Sequence, residues 1–108
     1  MSYELFHFTD DNFDIEAVRF HNPVLVHFWA PWCNESSGIR TIMVELASEF
    51  AGQVRIGELD TDENPRVTRS WTISSLPTVI LFRGGQEKQR FMGLARRVFD
   101  HALKSMLQ

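Results

Sequence analysis

The stretch that decides the fold is Val24–Cys33, which reads VLVHFWAPWC. Its first six residues are almost wholly apolar and β-prone, a pattern typical of a strand that is covered on both faces. We therefore expect His27, the polar exception in this run, to be a core residue. Cys33 follows the strand after a short interruption at Pro31.

A long amphipathic helix is predicted directly after this stretch. Its apolar residues recur as one face of a 3.6-residue period, which makes it the strongest helical signal in the chain. These residues are Ile39, Ile42, Met43, Leu46, Ala47 and Phe50.

Further strands and helices alternate around this centre. Strands are predicted at residues 4–8, 54–60, 78–82 and 86–92, with Gly84-Gly85 as a hairpin turn between the last two. Helices are predicted from the capping residues at 9–11 to about Phe20, from Pro65 at a first helical position to Trp71, and over the apolar face from Val98 to Leu107. This order predicts an α/β fold with the sheet between helix layers.

Length and composition point to one domain covering residues 1–108, since 44% of the chain is hydrophobic and 23% is charged. No apolar stretch approaches the ~20 residues of a membrane helix, so no membrane partner is expected. The first residues, Met1-Ser2-Tyr3-Glu4, lack the basic and apolar regions of a secretory signal. We therefore expect a cytoplasmic protein.

Charge is divided unevenly along the chain. Residues 1–63 hold 12 of the 14 acidic residues and three arginines, whereas residues 64–108 hold eight of the 11 basic residues. The net charge of −3 argues against a general nucleic-acid binder. If the two halves separate in space, the molecule is dipolar, with Arg83, Lys88 and Arg90 on a positive sheet edge.

Cys33 is the only cysteine. It excludes an intramolecular disulfide, as well as any metal site that takes several cysteines from one chain. We expect neither a metal nor a cofactor, and any sulfur chemistry must use one thiol.

Four segments together resemble the thioredoxin family: Trp29–Cys33 (WAPWC), Asp60–Pro65 (DTDENP), Leu76-Pro77-Thr78 and Gly93. The resemblance covers essentially the whole chain. It implies a thioredoxin fold with a central mixed five-stranded sheet flanked by four helices, a sheet order of 3-1-2-4-5, and a cis peptide between Leu76 and Pro77.

The resemblance also implies a chemistry that this chain cannot complete. Family members use two cysteines separated by two residues, the first attacking a disulfide and the second resolving the mixed disulfide. Here the motif reads Cys33-Asn34-Glu35-Ser36, and a serine hydroxyl does not attack sulfur at neutral pH. Cys33 keeps its expected place at a helix N-terminus, which favours a thiolate, while Glu35 opposes negative charge there. Ser36 is either a polar filler or a hydroxyl that donates a hydrogen bond to the Cys33 sulfur.

Two buried positions also differ from the family pattern. His27 stands where thioredoxins carry an aspartate, and Glu58 stands where they carry a lysine. We expect the two side chains to lie under the motif helix and to interact with each other or through one water. His27 is either a satisfied core histidine or a proton relay for Cys33.

Trp32, Leu76, Pro77, Gly93 and Leu94 correspond to the apolar rim on which thioredoxins dock an extended peptide. Each is equally compatible with plain packing. Their presence beside an incomplete motif suggests that peptide or thiol binding has outlasted the reductase step.

Three functions follow from these features. The first is a monothiol redox protein in which Cys33 forms mixed disulfides with protein or glutathione thiols, as a monomer able to link to a second copy through Cys33 on oxidation. The second is a redox-silent peptide-binding or chaperone-like module. The third, an iron–sulfur or metal site shared across a dimer, ranks lowest because the remaining ligands must come from elsewhere.

Overall fold

A computed structural model describes residues 4–91 and 95–108. Its five strands form one mixed sheet of order β1-β3-β2-β4-β5. The strands are β1 (Phe6–His7), β2 (Val24–Trp29), β3 (Arg55–Asp60), β4 (Thr78–Arg83) and β5 (Gln86–Phe91). β3 runs parallel to both β1 and β2, while β4 is antiparallel to β2 and β5. The thioredoxin-type α/β fold that the sequence predicts is therefore correct.

The expected sheet order of 3-1-2-4-5 is wrong, because β1 lies at the edge and pairs with β3 alone. The central strands β2, β3 and β4 are buried along most of their length. β1 has only two residues, and the side chain of His7 is 75% exposed. A short strand with an exposed polar side chain suits a sheet edge, whereas a strand between two neighbours is covered on both faces.

Gly57 explains how β1 reaches this edge. It pairs with Phe6, and a Cβ built on it would collide with the Phe6 carbonyl and lie 2.6 Å from the Phe8 ring. The missing side chain is what allows β1 and the following residue to approach β3.

Within the described residues, three α-helices and one π-helical turn flank the sheet. The α-helices are α1 (Ser36–Glu49), α2 (Pro65–Ser70) and α3 (Arg96–Leu107). The first predicted helix is much shorter in the structure than expected. Its π-helical turn spans only Asp14–Val18. Its entry is fixed by reciprocal bonds in which the Thr9 amide donates to Asn12 Oδ1 and the Asn12 amide donates to Thr9 Oγ1.

The sheet separates two cores. Alternate residues of each strand point to opposite faces, so Leu25 and Ile56 pack with α1 and α3. Val26 and Phe28 pack on the other face with the π-helical turn and α2. His27 and Glu58 share the parity of Leu25 and Ile56, which places both under α1. None of the helices in the described part of the chain has the length and apolar character that crossing a membrane requires.

Candidate active site

Cys33 lies beyond the carboxyl ends of β2 and β3, at one end of the sheet. Its amide donates to the Ala30 carbonyl at 3.0 Å, and the Ser36 amide donates to the Cys33 carbonyl at 3.2 Å, so the segment forms consecutive turns before α1 begins. Cys33 is partly exposed. These turns hold its sulfur at the surface next to the first turn of α1.

The loop that contains Pro77 finishes at the same end of the sheet, where β4 begins. Phe28 is paired with Thr78 in the antiparallel register, so Pro77 lies opposite the end of β2. The Leu76–Pro77 peptide bond is cis, and both residues are partly buried. Gly93 and Leu94, the other two expected rim residues, lie outside the described residues.

Among the described residues at this end of the sheet, Trp32 is the most exposed apolar side chain, with 66% of its surface accessible. Its indole nitrogen donates to Asp62 Oδ1 at 3.3 Å. Asp62 belongs to the loop after β3, and that loop is tied to β2 because both the amide and the hydroxyl of Thr61 donate to the Trp29 carbonyl. The indole of Trp32 is therefore held at its nitrogen, and its exposed ring lies near Cys33.

The Cys33 sulfur faces Glu35, whose Oε2 lies 4.0 Å from Sγ. Of the two alternatives for Ser36, the hydrogen bond to this sulfur is not formed: Ser36 is only 4% exposed, and its Oγ has no partner among the described residues. Ser36 is buried in the first turn of α1, while Cys33 precedes the helix and is partly exposed.

His27 is fully buried under α1, and neither of its ring nitrogens has a hydrogen-bond partner among the described residues. Burial, and to a lesser extent the positive charge of Arg40, lowers the pKa of His27 from 6.5 to about 4. The imidazole is therefore neutral near pH 7. The structure places His27 in the core, as the sequence analysis expects, and among the described residues its ring nitrogens are without hydrogen-bond partners.

Glu58 is buried beside His27 but is held by other groups. Arg40 Nε donates to Glu58 Oε1 at 2.8 Å, and His7 Nδ1 lies 3.5 Å from Oε2. The Arg40 guanidinium also stacks on the Trp29 ring at 4.4 Å from its centroid. Among the described residues no direct hydrogen bond joins His27 to Glu58, whose two oxygens face Arg40 and His7. An interaction of the two side chains through one water stays a prediction.

Arg40 is the residue of this site that the sequence did not single out. It lies one helical turn after Ser36 on α1, so both residues project from the same side of the helix. This spacing was the available signal. The sequence could not show that the side chain crosses to β3 instead of extending into solvent.

No cluster of three or more metal-binding side chains occurs within residues 4–91 and 95–108. The described part of the chain thus supplies no metal centre of its own, and a shared site would need its other ligands from a second molecule.

The thioredoxin family model matches residues 4–106 of this chain. Thioredoxin 1 of Nostoc sp. is 38% identical over 85 residues, which cover 79% of each chain. Thioredoxin of Thiocapsa roseopersicina is 40% identical over 83 residues, which cover 77% of this chain and 91% of that protein. The bifunctional thioredoxin reductase/thioredoxin of Mycobacterium leprae is 40% identical over 85 residues, but these are only 19% of its length.

Proposed function

This chain belongs to the thioredoxin family, and we propose that it acts there as a cytoplasmic monothiol protein whose Cys33 forms mixed disulfides with protein or low-molecular-weight thiols. One observation carries the proposal. Cys33 is partly exposed at the end of the sheet where the motif and the cis-proline loop meet, while Ser36 is buried at the position of the resolving cysteine.

The reaction has two exchange steps. The Cys33 thiolate attacks one sulfur of a disulfide, forms a Cys33–substrate disulfide and releases the other sulfur as a thiolate. Ser36 cannot attack this mixed disulfide, so an external thiol such as glutathione must do so. That attack on the substrate sulfur returns Cys33 as a thiolate and leaves the substrate joined to the external thiol. No electrons are gained or lost overall.

The rim contributes binding surface. Trp32, Leu76 and Pro77 present apolar surface at the same end of the sheet as Cys33. This surface suits the binding of an extended polypeptide on either side of the disulfide that it contains. Asp62 holds the Trp32 ring in place. We assign substrate contact to these three residues, and to Gly93 and Leu94 by the family resemblance.

His27 and Glu58 have different roles in this proposal. His27 is neutral, and its unprotonated nitrogen can accept a proton under α1. Glu58 keeps Arg40 in place over Trp29. Glu58 is thus a positioning residue. A proton-handling role of His27 is tested by the pH profile of thiol capture, because the His27→Leu variant then changes the shape of the profile and not only its height.

The test of the central proposal uses the full chain and glutathione disulfide. We expect one glutathione per molecule, detected by intact mass and released by excess reduced glutathione. Cys33→Ser should show no adduct. Failure of the unmodified chain to form an adduct under conditions in which a model cysteine peptide reacts would overturn the proposal.

A second candidate, the redox-silent binding module, is favoured by the exposed Trp32. It predicts that Cys33→Ser still binds a reduced, cysteine-free polypeptide as tightly as the unmodified chain, while Trp32→Ala does not. Under the monothiol proposal, tight capture requires Cys33 and a disulfide in the substrate.

A further inference from the structure

A basic cleft opens between α3 and the β4–β5 hairpin. It has a volume of about 820 Å³, which is within the range of small-molecule sites. Its cationic side chains are Arg83, Lys88 and Arg97, and His101 adds a further hydrogen-bonding group. Its apolar wall is formed by Leu81, Val98, Ala102 and Met106.

The cleft is distant from Cys33. β4 runs antiparallel to β2, with Thr78 opposite Phe28 and Phe82 opposite Val24. Residues 81–83 therefore lie at the end of the sheet where β2 begins, whereas Cys33 follows the end of β2. A ligand in the cleft does not occupy the thiol site.

The positive charge of the cleft is uncompensated within the described residues. In the second half of the chain, Arg90, Arg96 and Lys104 each pair with a carboxylate. Five basic residues there have no carboxylate partner in the described structure, and three of the five line the cleft, namely Arg83, Lys88 and Arg97. No aspartate or glutamate is among the described lining residues.

A hydrogen bond from Arg83 connects two of the elements that form the cleft. Its Nη1 donates to the Met106 carbonyl at 2.7 Å and so joins the end of β4 to the last turn of α3. This bond fixes one cation at the junction of the polar and apolar parts of the cleft. The remaining guanidinium hydrogens are available to a ligand.

We propose that this cleft binds an amphipathic organic anion, such as a medium-chain carboxylate, with its head group at Arg97 and its apolar body along Val98 and Ala102 towards Met106. The volume supports a small ligand, and the unpaired cations beside an apolar wall support a ligand with one charged and one apolar end. The proposal is independent of the thiol chemistry of Cys33.

The test is a titration of the full-length, ¹⁵N-labelled protein with sodium octanoate, followed by amide chemical shifts. We expect saturable shifts at residues 81–83 and 98–106 and unchanged amides at 30–36. Octanol, which has the same chain without the charge, should bind at least about fivefold more weakly. Equal affinity for octanol, or shifts centred elsewhere, would overturn the proposal.

Three variants make the result specific. Arg97→Gln should weaken octanoate binding about fivefold, whereas Arg69→Gln, which removes another arginine without a carboxylate partner in the described structure, should leave it unchanged. Ala102→Glu should abolish binding while the thermal unfolding transition is kept. Equal loss in both arginine variants, or tighter binding of an acidic hexapeptide than of octanoate, contradicts the assignment.

Discussion

His27 and Glu58 are register partners on neighbouring parallel strands, yet they do not bond to each other. Arg40 reaches down from α1 and takes the carboxylate at 2.8 Å, which leaves the imidazole buried and unpartnered within the described structure. The buried polar layer under the motif helix therefore contains one satisfied ion pair and one unsatisfied neutral ring.

The unsatisfied ring gives a pH dependence of stability. The pKa of His27 is lowered from 6.5 to about 4 in the folded chain, so between these values the unfolded chain binds a proton that the folded chain does not. The free energy of unfolding should therefore rise as pH increases from about 4 to about 6.5 and level off above, by on the order of 3 kcal/mol from this residue. Urea unfolding at pH 5 and pH 7.5 should show about 2 kcal/mol of this rise, because only the interval from pH 5 to about 6.5 contributes.

The matched variants for this pH dependence are His27→Leu and His101→Gln. His27→Leu should reduce the difference between the two pH values and should not destabilise the protein at pH 7.5, because it removes two unpartnered buried nitrogens. His101 is exposed, and its replacement should keep the full difference. An unchanged difference in His27→Leu would contradict the prediction.

Arg40 should contribute to stability through the buried carboxylate that it satisfies. Arg40→Met should lower the free energy of unfolding by about 2–3 kcal/mol at pH 7, because Glu58 would remain buried without its shortest ion pair. The double variant Arg40→Met/Glu58→Met should recover much of this loss, since it removes both charges. Chemical denaturation of the single and double variants gives the coupling energy, and additive losses would show that the pair is not coupled.

Gly57 should tolerate no side chain. Gly57→Ala should cost about 2–4 kcal/mol, because its Cβ would meet the Phe6 carbonyl and the Phe8 ring. Gly38→Ala is the control, as it lies in α1 with nothing within 4 Å of the added carbon, and it should stabilise by about 0.5–1 kcal/mol. Thermal unfolding of both variants tests the close approach of β1 to β3.

Restoring the second cysteine should restore part of a dithiol activity. Ser36→Cys places a thiol at the expected spacing, so dithiothreitol-driven reduction of a protein disulfide should rise clearly above that of the unmodified chain, measured by turbidity of the reduced product. Recovery should be incomplete, since His27 differs from the family pattern and Glu35 opposes negative charge beside Cys33.

Ser37→Cys is the control for this gain. Ser37 is exposed and adjacent in α1, so it adds a thiol with the wrong spacing. Catalysis by the unmodified chain equal to that of Ser36→Cys would contradict the monothiol proposal.

Much of the fold could be predicted from the sequence because its signals are local. The apolar run Val24–Trp29 coincides with the bounds of β2, and the 3.6-residue period after Cys33 coincides with α1. Pro65 begins α2, and Gly84 and Gly85 turn with positive φ. Each of these features depends on residues that are neighbours along the chain.

The sequence alone determined which chemistry is available: one thiol, a serine in place of the second, and a histidine and a glutamate in a buried layer. Tertiary structure decided how these groups are used. It placed β1 outside β3, left the Ser36 hydroxyl without a partner among the described residues, and gave Glu58 to Arg40 instead of His27. These outcomes depend on contacts between groups far apart in sequence. A competition between several partners for one buried carboxylate is decided by distance and desolvation, which residue order does not encode.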